Sequence, residues 1–534
     1  MGRMADQPID RILPQNGTMD EPHHFFSARQ LRGRGITAIS FLFLLWSCAP
    51  TETTAPTGPA SPDGPPNILL LFADDWSYPH ASAYGDAVVH TPTFDRLAAE
   101  GALFDNAYCA APSCAPSRAA LLTGRYPHAL GSAGNLWSVF PDSLTTYVDV
   151  LAGAGYHVGK TRKGWGPGET ETPGDNPAGP QYADFETFLD ARAPDQPFCF
   201  WFGSQDPHRR YERGTGRRTG MDPAAVQVPA FLPDNDCVRN DLLDYYYEVE
   251  RFDRESGNLL RALERRGLLD NTLVVMTSDN GMPFPRAKAN LYDAGTRMPL
   301  AMRYPPRIPA GERYAAFTNS VDLAPTFLEA AGVPVPPSVQ GRSLWPLLER
   351  QDATGRQAVY LERERHANAR AGDLSYPMRA VRTADHLYIR NFFPERHPAG
   401  DPTVHRSVGQ YGDIDNSIAK FYLMRDSTSR LASLSLGKRP AEELYVLADD
   451  PDQLDNRIAA AELADTRQSL RTQLDEWMAA TADPRAENPR SLFWDTSRYT
   501  PDYQHADFDL KKRLANYRYT TRRGGDGWAE LPCE

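Results

Sequence analysis

Short, unbroken apolar runs punctuate the chain from residue 67 onward. Asn67–Ala73, Phe198–Gly203 and Leu273–Thr277 read as strands buried on both faces, because a half-exposed strand would alternate apolar and polar positions. Between them the hydrophobic period lengthens to that of helices. Thr91-Pro92 opens one helix, with Phe94, Leu97 and Ala98 on one face and Gly101 as its stop. Asp241–Arg266 is a long amphipathic helix through Tyr246, Val249, Phe252, Leu260 and Leu263. Tyr147–Ala154 reads as a helix, and Ala102–Ala107 and Tyr156–Gly159 as short strands. This alternation predicts the α/β class.

The texture changes after about residue 372. Ala380–Thr383 and His386–Ile389 are strand-like, a loop-rich middle follows, and Leu463–Met478 is helical. From Pro484 the tail is aromatic and basic and receives no assignment. At the other end, Arg29, Arg32 and Arg34 precede the apolar run Ile36–Trp46, which is too short to span a bilayer comfortably. The run ends Leu45-Trp46-Ser47-Cys48, similar to a bacterial lipoprotein cleavage box. Residues 1–48 are therefore expected to be a signal peptide, with Met4 and Met19 as alternative starts and an uncleaved anchor as the competing reading. Residues 49–66, rich in Thr, Pro, Ser and Gly, read as a tether. The expected location is the periplasm or the outer surface of a bacterium, with membrane contact only through a lipid at Cys48.

The 534 residues suffice for a large domain with an appendage, and the net charge of −12 argues against a nucleic-acid partner. Cys109, Cys199, Cys237 and Cys533 are too scattered for a pairing to be read.

Candidate chemistry lies at the strand ends, where open α/β sheets bind ligands. Asp74-Asp75 follows the first buried strand, Asp206-Pro207-His208-Arg209 the second, and Ser278-Asp279-Asn280-Gly281 the third. Adjacent carboxylates repel unless a cation neutralises them, so Asp74, Asp75, Asp279 and Asn280 together suggest hard oxygen ligands for a metal. A fourth stretch, Tyr108–Pro127, contains Cys114-Ala115-Pro116-Ser117-Arg118 and then Leu122-Thr123-Gly124-Arg125. Pro116 suits the first turn of a helix, Ala119–Leu122 favour its continuation and Gly124 its end. Cys114 is thus expected just ahead of a helix N-terminus, with Arg118 one turn in and able to grip an oxyanion.

These motifs resemble the sulfatase family, whose Cys-x-Pro-Ser-Arg and Leu-Thr-Gly-Arg signatures both match. The order Asp-Asp, Cys-x-Pro-Ser-Arg, Lys, His, Asp-Asn also matches. The resemblance is strong over 67–350 and weaker to about 483. It implies a large mixed, mostly parallel sheet flanked by helices (alkaline-phosphatase-like), with a smaller C-terminal antiparallel sheet plus helix. The expected division is a catalytic domain over 67–372 and a C-terminal part over 373–534.

The resemblance further implies that Cys114 is oxidised before folding to Cα-formylglycine by a formylglycine-generating or sulfatase-maturing enzyme. One calcium ion would be held by Asp74, Asp75, Asp279 and Asn280 beside position 114. Lys163 and Lys288 would contact sulfate, and His208 would be the general acid. Trp165 stands where the family usually has histidine, and could instead stack on a sugar. Met282–Pro299, Asp206–Arg209 and Ser375–Arg379 resemble the N-sulfoglucosamine sulfohydrolase branch, although that branch has arginine at position 288. Arg379–Arg382 and the charged run Glu362–His366 are candidate saccharide contacts, Arg379 first among them, with solvated loops as the competing reading. The expected substrate is a sulfated saccharide, N-sulfoglucosamine being the first candidate and an O-sulfated polysaccharide, such as an algal one, the second. Phosphoester hydrolysis on the same fold and an inactive glycan-binding lipoprotein are the remaining alternatives.

Overall fold

A computed structural model describes residues 64–352, 354–403 and 407–496. The signal, Cys48 and the far C-terminal tail, with Cys533, lie outside the described residues, as does most of the tether. The large sheet is built from β1 (Asn67–Ala73), β2 (Ala102–Tyr108), β3 (His157–Arg162), β4 (Phe198–Gly203), β5 (Thr272–Ser278), β6 (Ala301–Arg303) and β7 (Glu312–Asn319). Their order is β7–β2–β6–β5–β1–β4–β3, with a short Arg297–Met298 strand beside β2. β1 pairs in parallel with both β4 and β5, and only β6 and the short strand run against their neighbours.

Both faces of this sheet are covered. Ile68, Leu70 and Phe72 point into one apolar cluster with Val275, while Leu69 and Leu71 join another with Val274 and Met276. That is why β1 and β5 are buried at every position and carry the unbroken apolar runs Ile68–Ala73 and Leu273–Met276 rather than an alternation. The helices on the two faces include α1 (Pro92–Glu100), α2 (Cys114–Thr123), α3 (Tyr147–Gly153), α4 (Asp236–Arg265) and α5 (Leu323–Ala330). α2 is buried around its entire circumference, and Gly124 ends it at φ 64°, in the left-handed region that glycine adopts freely.

A second, fully antiparallel sheet has the order β8 (Ala358–Arg363), β9 (Met378–Thr383), β10 (His386–Asn391), β11 (Glu442–Val446). Its first strand lies ahead of the boundary expected at residue 372. The middle segment is not loop throughout: α6 (Ile418–Arg425) and α7 (Arg430–Leu436) stand in it, and α8 (Ala464–Ala480) covers the sheet through Trp477, which stacks on Tyr360 at 4.9 Å. The early part of the unassigned tail belongs to the core. Trp494 is fully buried, and Arg485 pairs with buried Glu364. No helix among the described residues is long and apolar enough to cross a membrane.

Candidate active site

Strands β1, β4 and β5 are adjacent and parallel, so their carboxyl ends deliver Asp74-Asp75, Asp206-Pro207-His208 and Asp279-Asn280 to one place. Asp75 has φ 75°, a left-handed conformation that aspartate tolerates better than bulkier residues and that turns the chain sharply out of β1. Its N–H donates to Asp279 Oδ1 at 3.0 Å, and Asn280 Nδ2 donates to Asp75 Oδ1 at 2.6 Å. The first turn of α2 meets this cluster from the other side. Cys114 Sγ lies 3.5 Å from Asp74 Oδ1, and the ligand atoms of Asp74, Cys114 and Asp279 all fall within 4.8 Å of one another. Asp75, Cys114 and His208 satisfy the same limit.

Three cations balance the three buried carboxylates. Lys163 Nζ contacts Asp74 Oδ1 and Oδ2 at 2.7 and 2.6 Å, and Lys288 Nζ contacts Asp75 Oδ2 at 2.8 Å. Arg118 Nε donates to Asp279 Oδ2 at 2.8 Å. Burial disfavours the Asp74 charge, yet Lys163, His208, Arg118 and Lys288 outweigh it and hold this carboxyl well below the usual range. Asp279 goes the other way. Burial pushes it up to about 6 despite Arg118, and the nearby Asp74 charge adds to the rise. Burial also pushes the Cys114 thiol up.

The donor set fits a hard divalent cation. Three carboxylates and an amide converge, and Asn280 Oδ1 is a buried acceptor with no hydrogen-bond partner. A second His-carboxylate cluster, His128 with Glu362 and Asp483, is already filled by a cation, since Arg379 Nε lies 3.0 Å from Glu362 and 2.6 Å from Asp483.

Several expected roles change. Arg118 is fully buried and its donors are committed to Asp279 and to the carbonyls of Ala73, Lys163 and Gly164. It shapes the carboxylate cage rather than presenting a free fork. Trp165 does not offer its ring to a sugar. It is buried, packs edge-on to Phe140, and donates through Nε1 to Ala115 O at 3.1 Å, which fixes the first turn of α2. Arg379 is fully enclosed by Glu362, Glu364 and Asp483 and cannot touch a saccharide. The run Glu362–His366 is likewise buried rather than solvated.

His208 remains the accessible titratable group. It keeps 32% of its side chain exposed, bonds through Nδ1 to Arg209 O, and turns Nε2 to within 3.7 Å of Asp75. Two further residues stand beside the site: the sequence reading took in His366 only as part of the run Glu362–His366, and it passed over Asp415. His366 Nδ1 bonds Ser113 Oγ at 2.8 Å at the N-cap of α2, and burial pushes its pKa down to about 3. Asp415 lies 3.2 Å from Lys288 Nζ. Only the tight Asp413-Ile414-Asp415 spacing in an otherwise loop-like stretch could have drawn attention to the second.

Comparison with known proteins identifies the family. The family described as Sulfatase matches residues 66–333, and the family described as N-sulphoglucosamine sulphohydrolase, C-terminal, matches 286–396. The chain is 31% identical over 490 residues to N-sulphoglucosamine sulphohydrolase of Homo sapiens, covering 79% of this chain and 91% of that one. It is 28% identical over 447 residues to an ulvan-active sulfatase of Formosa agariphila, covering 79% and 82%. Among solved structures, one described as a complex with its substrate D-glucosamine-2-N,6-O-disulfate superposes with a TM-score of 0.57 at 22% identity, over 80% of this chain and 99% of that one. The phosphonate monoester hydrolase of Agrobacterium radiobacter shares the fold at a TM-score of 0.55 and 19% identity, over 78% and 96%. The family match over half of the chain, together with the human relative, establishes that this protein is a hydrolase belonging to the sulfatase family.

Proposed function

We propose that the protein is an exported sulfatase of saccharides that removes sulfate from N-sulfoglucosamine units. The observation that carries this reading is the convergence of three strand-end acidic sites on the first residue of α2, with Lys163 and Lys288 seated on the carboxylates. The human relative and the family matching 286–396 favour a sulfamate over an ester. The ulvan-active relatives keep an O-sulfated polysaccharide as the second reading.

Asp74, Asp75, Asp279 and Asn280 would hold one calcium ion, which when bound supplies positive charge against the sulfuryl oxygens. Oxidation of Cys114 by a maturing enzyme to formylglycine supplies the nucleophile, a task for which a buried thiol held in its neutral form is poorly suited. The chain's own groups do the rest. With the acidic faces neutralised, the ammonium groups of Lys163 and Lys288 turn to sulfate oxygens and oppose charge that grows in the transition state. Arg118 keeps Asp279 and Asp74 in register. His208 Nε2 gives a proton to the departing nitrogen or oxygen as its bond to sulfur breaks. Overall, water adds across that bond to yield sulfate and the free amine or alcohol.

The test is sulfate release by formylglycine-bearing protein from N-sulfoglucosamine and from O-sulfated saccharides, before and after chelation. Release from the N-sulfated sugar that is lost on chelation and restored by calcium is expected. Release only from O-sulfated sugars would move the assignment to the second reading.

A further inference from the structure

Resting on the reading above, one carboxylate beside the site has no part in the cage. Asp415 sits on the loop before α6, and both of its neighbours are pinned. Asp413 accepts from the Ala367 N–H at 2.9 Å and from the guanidinium groups of Arg363 and Arg370. Lys420 Nζ donates to Ile414 O at 2.8 Å and to Asn416 Oδ1 at 3.1 Å. The backbone on each side of Asp415 is therefore fixed, and its side chain is presented rather than left to wander.

It is presented to the site. Lys288 Nζ bridges Asp75 Oδ2 at 2.8 Å and Asp415 Oδ2 at 3.2 Å. Exposure rises outward along this line: Asp75 is fully buried, Lys288 is 4% exposed and Asp415 18%. Apart from the Lys288 ammonium, the buried Asp415 Oδ2 has no hydrogen-bond partner among the described residues. Burial works against its charge, but Lys288 first, then His208 and His366, hold the carboxyl well below the usual range, so it is ionised at neutral pH.

A fixed anion at the mouth of a site that admits an anionic sulfuryl group is a liability unless something on the substrate gains from it. An ester oxygen offers only lone pairs and is repelled. A sulfamate nitrogen carries a hydrogen that can donate, and after cleavage and protonation it is an ammonium. We propose that Asp415 is a specificity-determining residue that accepts a hydrogen bond from the sulfamate N–H and then holds the product amine, so selecting N-sulfated over O-sulfated sugars. Cleavage breaks the S–N bond, and the proton from His208 goes to that nitrogen beside Asp415.

The experiment compares wild type with Asp415→Asn in formylglycine-bearing full-length protein, reading kcat/KM on N-sulfoglucosamine and on an aryl sulfate. Inhibition of aryl-sulfate turnover by glucosamine and by N-acetylglucosamine is read alongside. Loss of a charged hydrogen bond predicts that kcat/KM on N-sulfoglucosamine falls by about 10- to 100-fold. The loss on the aryl sulfate is expected to be at least about tenfold smaller, because an ester never made that bond. Wild type should favour glucosamine over N-acetylglucosamine as inhibitor, and the variant should not. Equal losses on both substrates, or a glucosamine preference kept by the variant, would overturn the proposal. If wild type cleaves only O-sulfates, the substrate reading falls and the inhibitor comparison alone decides: a preference abolished by the variant supports Asp415, and no preference overturns it. Asp415→Ser carries the same comparison should the amide fail to fold, and the wild-type inhibitor preference needs no variant.

Discussion

Cys114 is the first residue of α2 and lies within reach of Asp74, yet its thiol is pushed up by burial and is not a nucleophile as it stands. On the proposed mechanism, a hydroxyl placed there by Cys114→Ser could attack sulfur but would lack the formylglycine hydrate's route to release. The expected outcome is at most one equivalent of sulfate transferred per protein, measured by intact mass and by free sulfate. Multiple turnovers by the serine variant would sink the role given to position 114. The strand-end residues were legible because each follows an unbroken apolar run, and burial on two faces marks such a strand without ambiguity. Trp165 and Arg379 misled for the opposite reason. An aromatic or a guanidinium near a glycan site suggests contact with the sugar, whereas here the indole N–H is committed to a carbonyl of α2 and the guanidinium to three carboxylates. Asp415 was legible only through its spacing from Asp413, since its partner Lys288 is distant in sequence and its loop carries no periodic pattern.

At the level of elements, the close approach of β4 to the turn after β3 sets where Lys163 stands. A Cβ built on Gly203 would sit 1.6 Å from Lys163 O, a carbonyl that also accepts from Arg118 and Trp201. Gly203→Ala must therefore displace that backbone, and a shift of about 1 Å in a positioning group typically costs about 100-fold in kcat/KM. Sulfate release that stays near wild type, with the fold intact by circular dichroism, would remove this turn from the site. On α6, burial pushes Lys420 down to about 7 from its ordinary 10.5, although Asp415 and Asp413 oppose the shift. Between those values the unfolded chain binds the extra proton, so stability from this group rises with pH and its cost is fully present below about 7. The melting temperature of wild type relative to Lys420→Met should accordingly climb from about pH 7 toward 10.5, and a flat difference would remove the shift.

Over the whole molecule, the surprise is how much charge is enclosed. Glu362–His366 looked solvated because charged residues are seldom fully buried. The structure buries them by pairing, Arg363 with Asp413, and Glu364 with both Arg379 and Arg485. The last pair ties the segment after α8 back to the residue that follows β8, which no local pattern in the sequence could announce. Arg485→Ala leaves Glu364 with one partner in a dry setting, and the cost is expected near about 3 kcal/mol, the lower end for breaking a buried pair because Arg379 remains. Thermal unfolding checks it, and an unchanged melting temperature would show the segment to be dispensable.

The enclosure of α2 also imposes a timetable. On the proposed function, a maturing enzyme would need the Cys114 segment as unpacked chain, and no such segment is on offer once every side of the helix is packed. Oxidation and folding would thus compete for the same newly made chain. On that reading, a molecule that folds first would keep its thiol, and the active fraction of a preparation would be a fossil record of which process won.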